Sequence, residues 1–270
     1  ADAVLAAGAA QHRWWRRVLE GRPSVPVLEV PFGIPEDDPP EEAANVIGVP
    51  EDWSVALWWG GVWPWLDLDT LLAARARLGR APVSLVVPTA TRPGGSIAPF
   101  NAADLSRMAA RYALSAPEVV PLEHWAPYAE RHLVLNRAAV MAFLHRAGLE
   151  AELSFRTRAM DALWSATPML LSAGGEVARL AEEGRWGLVV PPGEPAAVSD
   201  AMASLLEPDL QASVRRTLVA ERDRWRWPRV AAPLVDWLAE GAPPARAGLA
   251  TPLLRAAATV LGIVDPGSRA

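Results

Sequence analysis

The chain has 270 residues, enough to bury a large core, and 51% of them are apolar against 21% charged, which excludes a disordered protein. A net charge of −5 argues against bulk nucleic-acid binding, which needs a basic face, and no apolar run is long enough to span a bilayer. Cysteine is absent and the 4 histidines lie scattered without paired spacing, so disulfides, thiolate metal sites and a dedicated histidine metal site are not expected.

The chain opens Ala-Asp-Ala with no secretory pattern, so a cytoplasmic location is the default. Residues 31–42 are proline-rich and acidic and read as a stiff, solvated linker. Apolar runs then alternate with helically spaced stretches. Strands are expected over 54–59, 83–87, 118–122, 140–144, 169–172 and 188–191, with helices over 69–78, 102–114, 128–136, 154–166 and 175–183. Continuous apolar strands alternating with helices mark a parallel sheet covered on both faces. The expected class is therefore α/β, a doubly wound Rossmann-like parallel sheet. Beyond Pro192 the pattern turns helical, over 196–206, 212–222 and 230–240. A proline- and alanine-rich tail follows, with one helix-like piece at 252–261. The 13 tryptophans outnumber phenylalanine and tyrosine combined. Most suit core packing; those in the turn after residue 59 are the ones placed to stack on a base or sugar ring.

In such a sheet, ligands bind where loops leave the carboxyl ends of strands and helices begin. Three places fit. Gly60 and Gly61 follow the first main strand; they make either a tight turn or a close backbone approach to a ligand. Gly174 and Gly175 precede a helix and can turn free N–H groups towards a phosphate. Between them lies FLHRAGLEAELSFRTRAMDALWSATP, residues 143–168. It reads as a strand, a loop and a helix opening on Ser154, with His145 at the strand exit and carboxylates at Glu150, Glu152 and Asp161. Arg156, Thr157 and Arg158 crowd the expected first helical turn. Cations there oppose the helix dipole, and a phosphate is one natural compensator. His145 either touches a sugar or phosphate or is a satisfied structural residue. Glu150 and Glu152 read equally as solvated loop charges, and Asp161 equally as a helix-surface partner of Arg158. Trp125 and Pro127 pack the loop before the 128–136 helix or meet the edge of a base. No Ser–His–Asp arrangement, Walker loop or G-x-G-x-x-G is present, which removes support for hydrolase, ATPase and ordinary dinucleotide readings.

The order VALWWGGVWPWLDLDTLLAARARL, WAPYAERHLVLNRAAVMAFLH, F-R-x-R-x-x-D-x-L-W-x-x-x-P and GGEVARLAEEGRWGLVVPPGEPAAV resembles the nucleotide-sugar-binding half of GT-B glycosyltransferases of family 4, the retaining group. The resemblance implies a carboxy-terminal GT-B half with extra terminal helices. Its divisions would be residues 1–45 as remnant of an amino-terminal domain and linker, 46–206 as the binding domain and 207–270 as terminal helices and tail. The segment DAVLAAGAAQHRWW would be the last strand and helix of that mostly missing domain.

The implied reaction moves a sugar from a nucleoside diphosphate to a hydroxyl acceptor, a glycan or lipid-linked molecule, with the anomeric configuration retained. Bacterial surface polysaccharide is the implied setting, with possible contact at the inner membrane face. The donor is substrate, and no separate cofactor is implied. By the F-R-x-R-x-x-D pattern Asp161 takes the place of the ribose-binding glutamate. The partner carboxylate falls on Glu150 or Glu152, since strict spacing lands on Leu153. Gly60, Gly61, His145, Arg156, Thr157, Arg158, Gly174 and Gly175 would line the donor. Many relatives carry an arginine and a lysine after the first strand; this chain has Val62, Trp63 and Trp65 there, leaving Arg156 or Arg158 to substitute. Two rival readings follow, a degenerate scaffold that kept the fold and a nucleotide-sugar epimerase.

Overall fold

The computed structural model describes residues 2–20, 24–42, 46–90 and 100–240. In chain order the elements are β1 (Val4–Ala6), α1 (Ala9–Val18), β2 (Val27–Glu29), β3 (Ser54–Trp58), α2 (Leu68–Arg77), β4 (Val83–Pro88), α3 (Ala102–Ala110) and β5 (Val119–Leu122). A 3₁₀ turn (Tyr128–Glu130) leads into α4 (Arg131–Leu135), β6 (Val140–Phe143), α5 (Leu149–Leu153), α6 (Ala159–Trp164), β7 (Met169–Ser172), α7 (Gly175–Gly184) and β8 (Gly187–Val190). Helices α8 (Pro195–Leu206), α9 (Pro208–Trp225), α10 (Trp227–Val230) and α11 (Ala232–Ala239) close the described chain. The expected helix at 252–261 lies outside the described residues.

Six strands form one parallel sheet in the order β5-β4-β3-β6-β7-β8. The order reverses between β3 and β6, and a doubly wound sheet opens its ligand crevice at such a switch. The strands read as unbroken apolar runs because both faces are covered: every residue of β6 and β7 is buried. On one face α2 buries Leu68, Leu71, Leu72 and Ala74 against β3, β4 and α8. Asp67 starts α2 by accepting from the Thr70 amide (3.2 Å) and hydroxyl (2.7 Å).

All six expected strands are present with ends shifted by at most one residue, and α2, α3, α7, α8 and α9 lie on helical expectations. Three expected helices differ. The 154–166 helix shrinks to α6, after an extended and turning stretch from Ser154 to Arg158, and the loop expected before Ser154 contains a short helix, α5. The 128–136 helix begins as a 3₁₀ turn, and the 230–240 helix starts later, as α11, with a separate helical turn, α10, ahead of it. The break before α11 has a local cause: Pro233 sits in the first turn of α11 and supplies no N–H.

The described residues divide into two compact units, one within 31–230 and a second made of those within 1–30 and 231–240. In the second, β1 pairs in parallel with β2 around α1. Within the sheet unit, the segment expected as a linker is bonded to the rest. Ile34 exchanges backbone hydrogen bonds with Trp225 (2.8 Å) and Trp227 (3.0 Å), and the Trp164 indole donates to the Asp37 carbonyl at 2.8 Å. Helix α9 is anchored to the same unit. Its Arg215 donates to the carbonyls of Ala138 (2.9 Å) and Ala166 (3.3 Å), which lie near the start of β6 and after α6.

Candidate functional site on the carboxyl rim of the sheet

The exits of β3, β6 and β7 lie side by side, since these strands are consecutive neighbours around the order reversal. They carry Trp59–Gly61, Leu144–Arg146 and Ala173–Gly175. The loop after β3 is strapped to the exit of β6. Leu66 pairs with His145 in an isolated antiparallel bridge, the Arg146 amide donates to the Trp65 carbonyl at 3.0 Å, and the Asp67 amide donates to the Leu144 carbonyl at 3.0 Å. A side chain built on Gly60 would stand 3.6 Å from the Arg158 Cγ, so the β3 turn and the start of α6 face one another.

His145 is buried, and its amide donates to the Ser172 hydroxyl at 2.8 Å, tying β6 to β7. Its Nε2 stands 3.8 Å from a Glu150 carboxylate oxygen, while its Nδ1 has no hydrogen-bond partner. Burial, helped by the nearby Arg156 cation, pulls the imidazole down to about 4. Burial also pushes the Glu150 carboxyl above its usual range, with Arg156 pulling the other way. A neutral histidine therefore faces a carboxylate on the open rim. Glu150 and Glu152 are both exposed, and residues two apart point to different sides of a helix, so Glu150 is the one that faces His145.

Arg156 is not on the open rim. It is buried, and its guanidinium donates to the carbonyls of Ser172 (2.7 Å), Gly174 (2.9 Å) and Phe143 (3.4 Å). Those carbonyls end β6 and β7, so Arg156 acts as a clamp between strand exits. Burial lowers it to about 10, with Glu150 raising it in part. Both terminal nitrogens of Arg156, expected to line the donor, bond these carbonyls, and its Nε has no partner among the described residues. Arg158 is the available cation: half its side chain is exposed, with a long 3.4 Å contact to Asp161.

Of the groups around Asp161, only Arg158 was legible in the sequence. Its carboxylate accepts from the Trp59 indole (2.9 Å) and from Arg131 Nε (2.9 Å), and Arg158 reaches it as a third donor. Arg131 is buried with its guanidinium between the rings of Tyr128 (3.7 Å) and Trp164 (3.9 Å). Two donors at full hydrogen-bond distance leave part of the carboxylate's acceptor capacity open. Asp161 thus joins β3, α4 and α6, and sequence reasoning missed both Trp59 and Arg131 in this role.

Gly174 and Gly175 have φ values of +99° and +77°. A side chain on Gly175 would lie 2.3 Å from the Ala151 carbonyl oxygen, so α7 approaches α5 too closely for any other residue; one on Gly174 would meet nothing within 4 Å. The turn is therefore fixed on one side and open on the other. A cleft of about 150 Å³ adjoins this rim, lined by Thr157, Arg158 and Asp161 together with Tyr128, Phe32 and Trp227. It does not include the glycine turns or His145. Trp125 and Tyr128, on the loop after β5, are exposed.

No protein-family model matches the chain, and no curated protein matches it in sequence. Solved structures do match in fold. Sucrose-phosphate synthase from Thermosynechococcus elongatus superposes with a TM-score of 0.66 at 20% identity, covering 89% of this chain and 58% of that one. Anabaena HepE, solved with UDP-glucose, gives 0.70 at 18% identity over 89% and 64%. Trehalose 6-phosphate synthase from Burkholderia multivorans gives 0.66 at 14% over 88% and 59%. The architecture is that of the GT-B glycosyltransferases. The chain spans less than two thirds of the length of each of these neighbours.

Among the described residues, no helix is long and apolar enough to cross a membrane.

Proposed function

We propose that this chain is the nucleotide-sugar-binding half of a retaining glycosyltransferase, of the family 4 kind, that moves a sugar from a nucleoside diphosphate to a hydroxyl on a glycan or lipid-linked acceptor. The observation that carries the reading is the convergence on one rim of the Gly60–Gly61 turn, the His145–Glu150 pair, the open Gly174 turn and Arg158 beside Asp161. Backbone amides at strand exits and a cation on the same rim suit a diphosphate leaving group, whose charge grows as the sugar departs. Arg158 and the two glycine turns would hold the diphosphate, with Thr157 at the edge. The remaining acceptor capacity of Asp161 would take the ribose, and Glu150 would face the donor sugar. Amides and an arginine neutralise the leaving group without a metal. That one solved neighbour holds UDP-glucose adds support for the donor class. An amino-terminal partner domain would complete the cleft, and the cytoplasmic side of a membrane suits a lipid-linked acceptor in surface polysaccharide synthesis.

One observation favours a second reading, a scaffold that kept the fold without nucleotide binding: both terminal nitrogens of Arg156 and much of the Asp161 carboxylate are already engaged within the protein. Calorimetric titration of the chain with UDP and with GDP separates the two. Binding of one of them, weakened about tenfold or more by Arg158→Ala through loss of a charge-assisted hydrogen bond, fits the transferase. No binding of either leaves the scaffold.

A further inference from the structure

We infer that Trp63 and Trp65 form a platform that receives a pyranose ring on the Glu150 side of the rim. Their indoles are parallel, at 2° between planes with centroids 5.5 Å apart, and they are the one parallel-stacked ring pair among the described residues. Both remain open to solvent, at 37% and 43% exposure. Their parallel stacking sets them apart from other exposed aromatics such as Trp14, Trp125, Tyr128 and Trp227. The pyrrole edge of Trp63 lies over Gly61, where a side chain would stand 2.9 Å from its Nε1, so the platform adjoins the turn after β3. The pair is rigid: the Leu66 amide donates to the Trp63 carbonyl at 3.0 Å, and the Trp65 carbonyl accepts from Arg146.

Position selects the ligand. The tryptophans sit on the strap that pairs with His145, whose ring faces Glu150, whereas Asp161 is reached by Trp59. In the transferase reading, on which this inference rests for its orientation, that is the sugar side and not the nucleoside side. A pyranose offers an apolar C–H face to an indole and a ring of hydroxyls to the neighbouring N–H groups, so it matches a flat aromatic surface with polar edges. A bilayer fits less well. Membrane-anchoring aromatics project from a helix flanked by many cations, and here the rings are stacked on each other with Arg146 as the adjoining cation.

The saccharide is either the hexose of the donor or the first ring of an acceptor, and the test separates them. Saturation-transfer NMR on the chain would use methyl α-D-glucopyranoside and maltose as free sugars. Calorimetry would use UDP and UDP-glucose. The variants are Trp65→Ala, Trp63→Ala with Trp65→Ala, and Trp65→Phe, which keeps a ring; circular dichroism checks the fold of each. Loss of the free-sugar signal by about tenfold in the alanine variants, with partial return in Trp65→Phe, places an acceptor ring on the platform. A fall of similar size in the UDP-glucose to UDP affinity ratio places the donor hexose there. The inference is overturned if neither quantity changes, or if the parent binds no sugar in any form. It is overturned equally if the alanine variants weaken UDP itself, which would make the platform a base site, or if they abolish binding to phosphatidylglycerol vesicles while sugars never bind. A chain that fails to bind UDP but holds free sugars through these rings would refute the donor assignment and leave the platform standing.

Discussion

Replacing Asp161 by alanine is the sharpest single perturbation of this rim. The carboxylate is about nine-tenths buried and faces Arg131, whose guanidinium lies buried between Tyr128 and Trp164. Arg131 keeps one backbone acceptor, the Tyr128 carbonyl at 2.6 Å, and one of its terminal nitrogens already has no partner. Removing one member of a buried ion pair typically costs about 3–5 kcal/mol, since it leaves a desolvated charge uncompensated. The Trp59 indole also loses its acceptor, worth about 1 kcal/mol. We therefore expect Asp161→Ala to destabilise the fold by about 4 kcal/mol, a large share of a typical total of roughly 5–15 kcal/mol. Urea unfolding followed by circular dichroism measures this directly, and the Tm should fall by roughly 10 °C for a domain of this size. Arg131→Met combined with Asp161→Leu should recover most of the loss, because an apolar pair removes the stranded cation. A loss below about 1 kcal/mol in Asp161→Ala, or a double variant no better than the single, would refute the buried-pair argument. The consequence for function is practical: lost nucleotide binding in Asp161→Ala reports unfolding as readily as a missing ribose contact, so Arg158→Ala is the cleaner probe.

Burial holds His145 at about 4 against an ordinary 6.5, so on acidification the unfolded chain takes up this proton first. Stability should fall as pH drops through that interval, by up to about 3 kcal/mol, and His145→Asn should flatten the slope of urea midpoints. Glu150, raised by burial, works in the opposite sense and is more exposed; an unchanged slope in the variant would sink the assignment. Gly175→Ala should cost about 2 kcal/mol or more in thermal melts, and Gly174→Ala less, because only the former also collides with the Ala151 carbonyl. Arg75 is wholly buried and donates to the carbonyls of Val83 (2.6 Å), Gly79 (3.0 Å) and Ala81 (3.1 Å). Arg75→Leu strands those acceptors and should destabilise by about 3 kcal/mol; a denaturation midpoint near that of the parent would contradict it.

The sequence by itself determined the strands, their order of appearance and the places where the chain leaves the sheet. Those features are local: an apolar run records burial on both faces, and a glycine pair or a histidine after it records an exit. It also placed Gly60, His145 and Gly174 after strands and Asp161 in a helix, whereas Glu150, read on a loop, lies in α5. Only the tertiary structure decided which side chains those residues meet. Asp161 finds Trp59 from 102 residues away and Arg131 from 30 away. Arg156, read as a cation awaiting a phosphate, instead satisfies carbonyls on two strands. The break between α5 and α6 has the same origin, since it lets Arg156 reach those carbonyls and lets Gly175 close on Ala151. Periodicity reports how a segment faces the core, but hydrogen-bond partners across the fold are set by how segments distant in the chain come to lie together.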